Sequence, residues 1–129
     1  MTYAALLFAG IAALLHVYIW TMESITWKQP ATWKRFGLES QADADTTAPM
    51  AYNQGYYNLF LAVITIIGMV LIVIVDWDVA GWALLIASCG SMAAASLVLL
   101  STGSGYARAA ATQGTVPALA VICAILGIA

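Results

Sequence analysis

The segment that decides the fold is LFLAVITIIGMVLIVIV, residues 59–75. It contains no charged residue, and with the residues back to Ala51 or Tyr52 it is long enough to cross a hydrocarbon core of about 30 Å as a helix. Neither residues 71–75 nor residues 83–87 alternate polar and apolar side chains, as the strands of a membrane barrel do. We therefore predict helices that span a membrane.

The composition of the whole chain also indicates a membrane protein. Of its 129 residues, 64% are hydrophobic and 8% are charged, whereas soluble domains have about 45–50% and about 25%. So few charges cannot cover a water-soluble domain. The net charge of −2 supplies no basic surface for nucleic acid. We expect membrane lipids around the protein and no nucleic-acid partner.

The apolar runs predict an all-α fold, a bundle of four transmembrane helices in a single domain over residues 1–129. The helices are expected at about residues 3–22, 52–75, 79–100 and 106–129. The first is a retained span rather than an export signal, because no basic stretch precedes it and no small-residue cleavage site follows it. Residues 23–50 form a loop, in which 39–49 are small, acidic and polar and predict a solvated linker. Cys89 and Cys123 fall within apolar runs and are expected to be packing residues.

The basic residues predict the orientation of the helices. Lys28, Lys34 and Arg35 lie in the first loop, and Arg108 follows the turn between helices three and four. The opposite side has no Lys or Arg. The positive-inside rule therefore places the 23–50 loop in the cytoplasm and both termini on the non-cytoplasmic side.

Polar residues inside the spans predict one site, because each needs a partner or water in lipid. His16, Trp20 and Glu23 are spaced four and three apart and share a helix face. With the predicted orientation, they lie in the cytoplasmic half together with polar residues of the other helices. Ligand or proton handling is assigned to His16, Glu23, Asn53, Gln54 and Asn58, supported by Trp20, Tyr57, Tyr106, Arg108 and Gln113. These residues predict a polar cavity that opens to the cytoplasm.

His16 and Glu23 are separated by about 10.5 Å along their helix. A direct hydrogen bond between them is therefore not expected. We predict that Trp20, a water, a ligand or the amides of Asn53, Gln54 or Asn58 lie between them, and that a polar side chain of helix two hydrogen-bonds at least one of the pair.

Each candidate also has a structural interpretation. His16 can hydrogen-bond a neighbouring group, Glu23 can mark the helix end, and the three amides can hold helices together. Arg108 can be a topology signal alone, and the aromatic rings can be interfacial anchors. One histidine without an intramembrane Cys, Asp or Glu cluster is a poor metal site. Since no nucleophile motif or phosphate-binding glycine loop stands out, we expect no metal and no cofactor.

Three segments resemble an uncharacterised bacterial family of small four-span membrane proteins, a domain of unknown function. They are residues 16–19 with Glu23 and Trp27, the run NQGYYNLFLA at 53–62, and Gln113 with residues 117–119. The resemblance implies a multi-pass protein of the bacterial inner (cytoplasmic) membrane and the importance of the five candidate ligand residues, and it implies no reaction. The architecture is also similar to that of membrane-associated glutathione-metabolising enzymes, although their second-helix Arg and Glu are not evident at 53–58.

The leading hypothesis is binding and transport of a small polar or amphipathic solute, with His16 and Glu23 as the protonatable pair. A membrane-embedded enzyme acting on a lipophilic substrate is the second hypothesis, and a structural or accessory subunit is the third. Small residues at Gly81, Gly90 and 93–95 further predict a parallel homo-dimer or homo-trimer.

Overall fold

The computed structural model of the chain describes residues 1–128, and every regular element in that range is a helix. Five α-helices follow one another: α1 (Thr2–Trp20), α2 (Pro30–Trp33), α3 (Gln41–Val73), α4 (Asp78–Ser101) and α5 (Ala107–Ile128). A π-helical turn, Thr21–Ile25, continues α1. Two 3-10 turns, Lys34–Phe36 and Ser104–Tyr106, follow α2 and precede α5.

Four helical segments are long and apolar enough to cross a membrane. They are Thr2–Ile25, Gln41–Val73, Asp78–Ser101 and Ser104–Ile128. By length and composition, these segments confirm the prediction of an all-α protein with four spans. Their ends agree closely with the predicted ones except at the start of the second span. Ala129, which the prediction places in the fourth span, lies outside the described residues.

The start of α3 corrects the prediction of a linker at residues 39–49. The helix begins at Gln41 because Ser40 caps it: the Ser40 Oγ accepts the Asp43 N–H at 3.1 Å and donates to Asp43 Oδ2 at 2.7 Å. Pro49 lies inside the helix, where it cannot donate a backbone hydrogen bond to the carbonyl four residues earlier. The polar composition of this stretch therefore belongs to an exposed helical extension.

The chain divides into two compact units. We call Met1–Leu15 together with the described residues from Leu61 onward the bundle unit, and His16–Phe60 the connector unit. Because α1 and α3 each cross a unit boundary, both helices contribute residues to both units.

The core of the bundle unit is built from small and flexible side chains of all four long helices. Buried residues of α1, α4 and α5 form it, and α3 packs against it. They are Ala5, Ala9, Ala12, Leu85, Cys89, Met92, Ala120, Cys123 and Ala124, with Leu61, Met69 and Ile72 from α3. Both cysteines are buried free thiols, as expected of packing residues. Small side chains allow helix backbones to approach closely, which is how helices associate in lipid.

Two glycines lie in close contact where α3 packs on α4 in the bundle unit. A Cβ added at Gly68 would lie 2.8 Å from the carbonyl oxygen of Gly81 and 3.0 Å from the backbone nitrogen of Leu85. Gly81, expected to face another copy of the chain, is therefore used inside this one. Gly90 is different, since a Cβ added there meets nothing within 4 Å.

Candidate functional site

The connector unit is held together by the loop aromatics and the first turns of α3. Trp27 Nε1 donates to the Ala44 carbonyl at 3.0 Å, and Trp33 Nε1 donates to Gln41 Oε1 at 3.2 Å. Gly37, with φ of 79°, adopts the left-handed conformation that ends the 3-10 turn Lys34–Phe36. These indoles contact protein, so their role extends beyond the interfacial anchoring expected of them.

The π-helical turn sets the direction of Glu23. The Thr26 N–H donates to the Thr21 carbonyl, five residues earlier, at 3.0 Å. The wider turn continues α1, and Glu23 is buried, as are Ile19 and His16, one and two turns before it. Single π turns inside helices are frequent at functional sites.

Glu23 is bonded to a side chain of α3. Asn58 Nδ2 donates to Glu23 Oε2 at 2.7 Å and to the Gln54 carbonyl at 3.3 Å. Glu23 is 9% exposed and Asn58 is 8% exposed, so both groups are withdrawn from the surroundings. The predicted hydrogen bond between the helix-one pair and a helix-two amide is thus present, with Glu23 as the acceptor.

Gly55 is the residue that lets the two helices meet at this bond. A Cβ added there would collide with Ser24 Oγ and would lie 3.0 Å from the Cβ of Glu23 and 3.2 Å from the backbone nitrogen of Ser24. The hydroxyl of Ser24 donates to the Tyr52 carbonyl at 3.0 Å. The contact is therefore built from one glycine, one serine and the Glu23–Asn58 bond.

An aromatic ladder on α3 borders the pair. Tyr56 lies 5.0 Å from Tyr52 and 6.1 Å from Phe60, measured between ring centroids, and its ring meets Trp20 edge-on at 6.1 Å. Trp20 Nε1 is buried and has no hydrogen-bond partner among the described residues. A buried indole N–H normally has an acceptor, so this donor is a candidate contact for a ligand oxygen.

Other predicted site residues lie elsewhere. The buried face of α3 passes through Ala51, Gly55 and Asn58, whereas the side chains of Asn53, Gln54 and Tyr57 are exposed. Of the three predicted amides, Asn58 therefore lies on the buried face, where Gly55 contacts Ser24. Tyr106, Arg108 and Gln113 belong to the bundle unit, where Tyr106 and Arg108 are exposed and Gln113 is half-buried.

The side chains of Glu23 and Asn58 contact each other directly. A separate cavity of about 220 Å³ in the connector unit is lined by Tyr18, Thr21, Met22, Thr26, Ala31, Thr32 and Arg35.

Sequence reasoning missed Ser24, Gly55 and the π turn. A glycine between large polar and aromatic residues in NQGYYN is a detectable sign of close helix contact. A serine beside Glu23 is too common a pair to be informative, and no residue pattern marks a π turn.

Comparison with known proteins bears on the family alone. Neither the curated proteins nor the solved structures provide a match to the chain. A family model described as "Protein of unknown function (DUF1304)" matches residues 10–125, which include all of the connector unit. The match covers most of the chain, and this protein with four potential membrane spans therefore belongs to the DUF1304 family.

Proposed function

We propose that this protein binds a small polar or amphipathic solute and transports it across its membrane, with the Glu23–Asn58 pair as the polar contact. The observation that carries the proposal is a buried carboxyl in a potential span. Glu23 is the only Asp, Glu, Lys or Arg within Thr2–Ile25. Ionisable side chains inside spans are costly and commonly mark solute, ion or proton pathways.

The surroundings of the Glu23–Asn58 pair support a change in which the bond between the two side chains is replaced by bonds to a solute. The bond joins groups on two helical elements. The carboxyl lies on a π turn, a backbone irregularity that can become regular α-helix if the residues after it shift their hydrogen-bond register. Separation would present a carboxyl and an amide to the solute. The buried Trp20 N–H would gain an acceptor if that solute carries an oxygen. His16, buried on the same helix, is the second titratable group.

A second function is favoured by the tight contact at Gly55. The Glu23–Asn58 bond can act as a lock that only holds α1 and α3 together, and the protein would then be a structural or accessory subunit. The packing of Ser24 against Gly55 supports this interpretation.

The two functions predict different results for Glu23→Gln in proteoliposomes. The glutamine keeps an oxygen for Asn58, so the free energy of unfolding should change by less than about 1 kcal/mol. Currents on a solid-supported membrane are measured with amino acids, polyamines, sugars and quaternary ammonium ions. A transporter should give a current with one of these classes that Glu23→Gln abolishes and Glu39→Gln, an exposed acid of the same unit, preserves.

Wild-type vesicles without current for any class would contradict transport. The lock would then be tested by Glu23→Ala, Asn58→Ala and the double variant. A lock predicts non-additive losses of stability, with a coupling of about 0.5–3 kcal/mol.

The proposal includes a parallel homo-dimer or homo-trimer with both termini outside the cytoplasm. Support comes from α4, on which Ala87, Ser91 and Ala94 are exposed and Gly90 has open space around it. Ser91→Cys should form disulfide-linked dimers in membranes, whereas Thr112→Cys, exposed on α5, should not. Equal cross-linking of the two variants would contradict an α4 interface.

A further inference from the structure

A cleft in the connector unit has the features of an anion site and takes no part in the Glu23–Asn58 contact. It has a volume of about 220 Å³ and lies between the end of α1 with its π turn and the α2 segment. Five of its lining residues carry polar side chains, namely Arg35, Tyr18, Thr21, Thr26 and Thr32.

The positive charge in the cleft has no acidic partner. Arg35 Nη1 donates to the Tyr18 hydroxyl oxygen at 2.8 Å, and this partner is neutral. Among the described residues the one ion pair joins Lys28 and Asp45, at 3.5 Å. The remaining guanidinium N–H groups are therefore available to an anion, and a guanidinium binds phosphate oxygens in a bidentate manner.

Two hydroxyls beside Arg35 can add neutral donors. The Tyr18 oxygen accepts from Arg35, and its own O–H has no acceptor among the described residues. Thr26 and Thr32 share a hydrogen bond of 3.0 Å in which either can donate. Thr26 Oγ1 also lies 3.4 Å from the Thr21 carbonyl oxygen, which is a second acceptor for its proton. When Thr26 donates to Thr32 and not to this carbonyl, the O–H of Thr32 is left to donate to a ligand.

The position of the cleft along the chain indicates an amphiphilic ligand. Tyr18, Thr21 and Met22 belong to the potential membrane span Thr2–Ile25, whereas Thr32 and Arg35 lie outside every potential span. The lining therefore passes from the end of an apolar helix, with Met22 as an apolar wall, to a charged group. A phospholipid has the same order of acyl chain and phosphate at the membrane surface.

We propose that this cleft binds the phosphate of an anionic phospholipid, with Arg35 as the charged partner and the hydroxyls of Tyr18 and Thr32 as additional donors. The site is independent of the proposed transport, because Arg35 and Tyr18 make no bond with the Glu23–Asn58 pair. Free phosphate esters share this chemistry, so the test must compare the two sources.

The test uses the purified full chain in a neutral detergent, with short-chain phosphatidylglycerol, phosphatidylcholine and inorganic phosphate as separate probes. We expect saturable binding of phosphatidylglycerol, weaker binding of phosphatidylcholine, and no competition by inorganic phosphate at equal concentration. Arg35→Gln should weaken the binding of phosphatidylglycerol by about tenfold or more, since it removes a charge-assisted hydrogen bond. Tyr18→Phe should weaken it by a smaller factor.

Lys34→Gln is the matched control, because it removes the same charge from the neighbouring exposed residue, whose ammonium lies over the Trp33 ring at 5.5 Å. An equal loss for Arg35→Gln and Lys34→Gln would overturn the site in favour of diffuse attraction between charges. Inorganic phosphate that displaces phosphatidylglycerol at equal concentration would overturn the lipid assignment. If Arg35→Gln does not fold, Arg35→Lys keeps the charge and loses the bidentate geometry. Unchanged binding by Arg35→Lys together with Tyr18→Phe would also overturn the proposal.

Discussion

The two units use the same helix, α3, in different ways. In the connector unit, Gly55 allows close approach and Asn58, three residues later, bonds the carboxyl of Glu23. In the bundle unit, Gly68 allows close approach, and Thr65, three residues earlier, shares a hydrogen bond of 2.8 Å with Ser88.

The difference lies in the partner. Ser88 is neutral, and its hydroxyl is also satisfied by its own helix, through the Leu84 carbonyl at 2.8 Å. The bundle unit therefore joins two helices without an ionisable group. Helix association does not require an ionisable group, so the carboxyl of Glu23 in the connector unit indicates a function beyond helix packing.

Gly68→Ala tests the bundle side of the comparison and should have the largest effect. The new Cβ would meet backbone atoms of Gly81 and Leu85, which cannot rotate away. We expect the free energy of unfolding to fall by about 1–3 kcal/mol, as for overpacked cores. It is measured by titration with a denaturing detergent.

Gly90→Ala is the matched control for Gly68→Ala, because its Cβ meets nothing within 4 Å. It should leave stability unchanged or raise it by up to about 1 kcal/mol, since alanine favours the helix. Similar losses for both variants would mean that helix propensity, and not contact, controls the result.

Gly55→Ala tests the connector side and should cost less, about 1 kcal/mol. The nearest obstacle is the Ser24 hydroxyl, which can change rotamer, although the Ser24 nitrogen and the Glu23 Cβ remain close. Ser24→Ala in the same chain should recover part of the loss, as measured by the same titration. A double variant no more stable than Gly55→Ala would show that the backbone alone resists the change.

Ser40→Ala tests the cap that extends α3 into the connector unit. Losing the bond to the Asp43 N–H should cost about 1 kcal/mol. Hydrogen exchange of the amides at 42–44 should accelerate, while the amides of the bundle unit keep their protection. Thr112→Ala is the control, because its hydroxyl bonds only the Arg108 carbonyl within α5. Unchanged exchange at 42–44 would show that the cap does not hold these turns.

Thr65→Val should have the smallest effect. It removes the hydroxyl bond to Ser88 and keeps the branched shape, and such bonds between membrane helices are worth about 0.6 kcal/mol on average. Thr112→Val provides the exposed control for the same titration. A loss as large as that of Gly68→Ala would mean that polar contacts, and not backbone approach, hold the bundle unit.

Most of the fold could be predicted from the sequence alone. Helices that cross lipid must be long and apolar, and such segments can be identified from their composition. The runs that end near Ile25, Val73 and Ser101 need no tertiary information to be found. The start of α3 was missed, although Ser40 and Asp43 carry a capping pattern, because a polar segment before an apolar span resembles a linker.

Periodicity also selected Glu23 and Asn58, since an ionisable or amide side chain inside a span requires a partner. It could not separate Asn58 from Gln54 and Asn53. A shift of one residue along the sequence moves to a neighbouring face of the helix. The approach of Ser24 to Gly55, which the sequence does not show, determines which face is buried.

Sequence by itself determined the four candidate spans and the residues whose burial in them must be compensated. The tertiary structure decided which of them meet: Glu23 bonds Asn58, Gly81 meets Gly68 within the chain, and Arg35 bonds Tyr18 beside a cleft. The physical reason is that transfer into lipid depends on each residue and its near neighbours along the helix. A hydrogen bond between helices depends instead on the separation of two atoms, and a change of a few tenths of an ångström can break it. A π turn or a missing Cβ determines that separation.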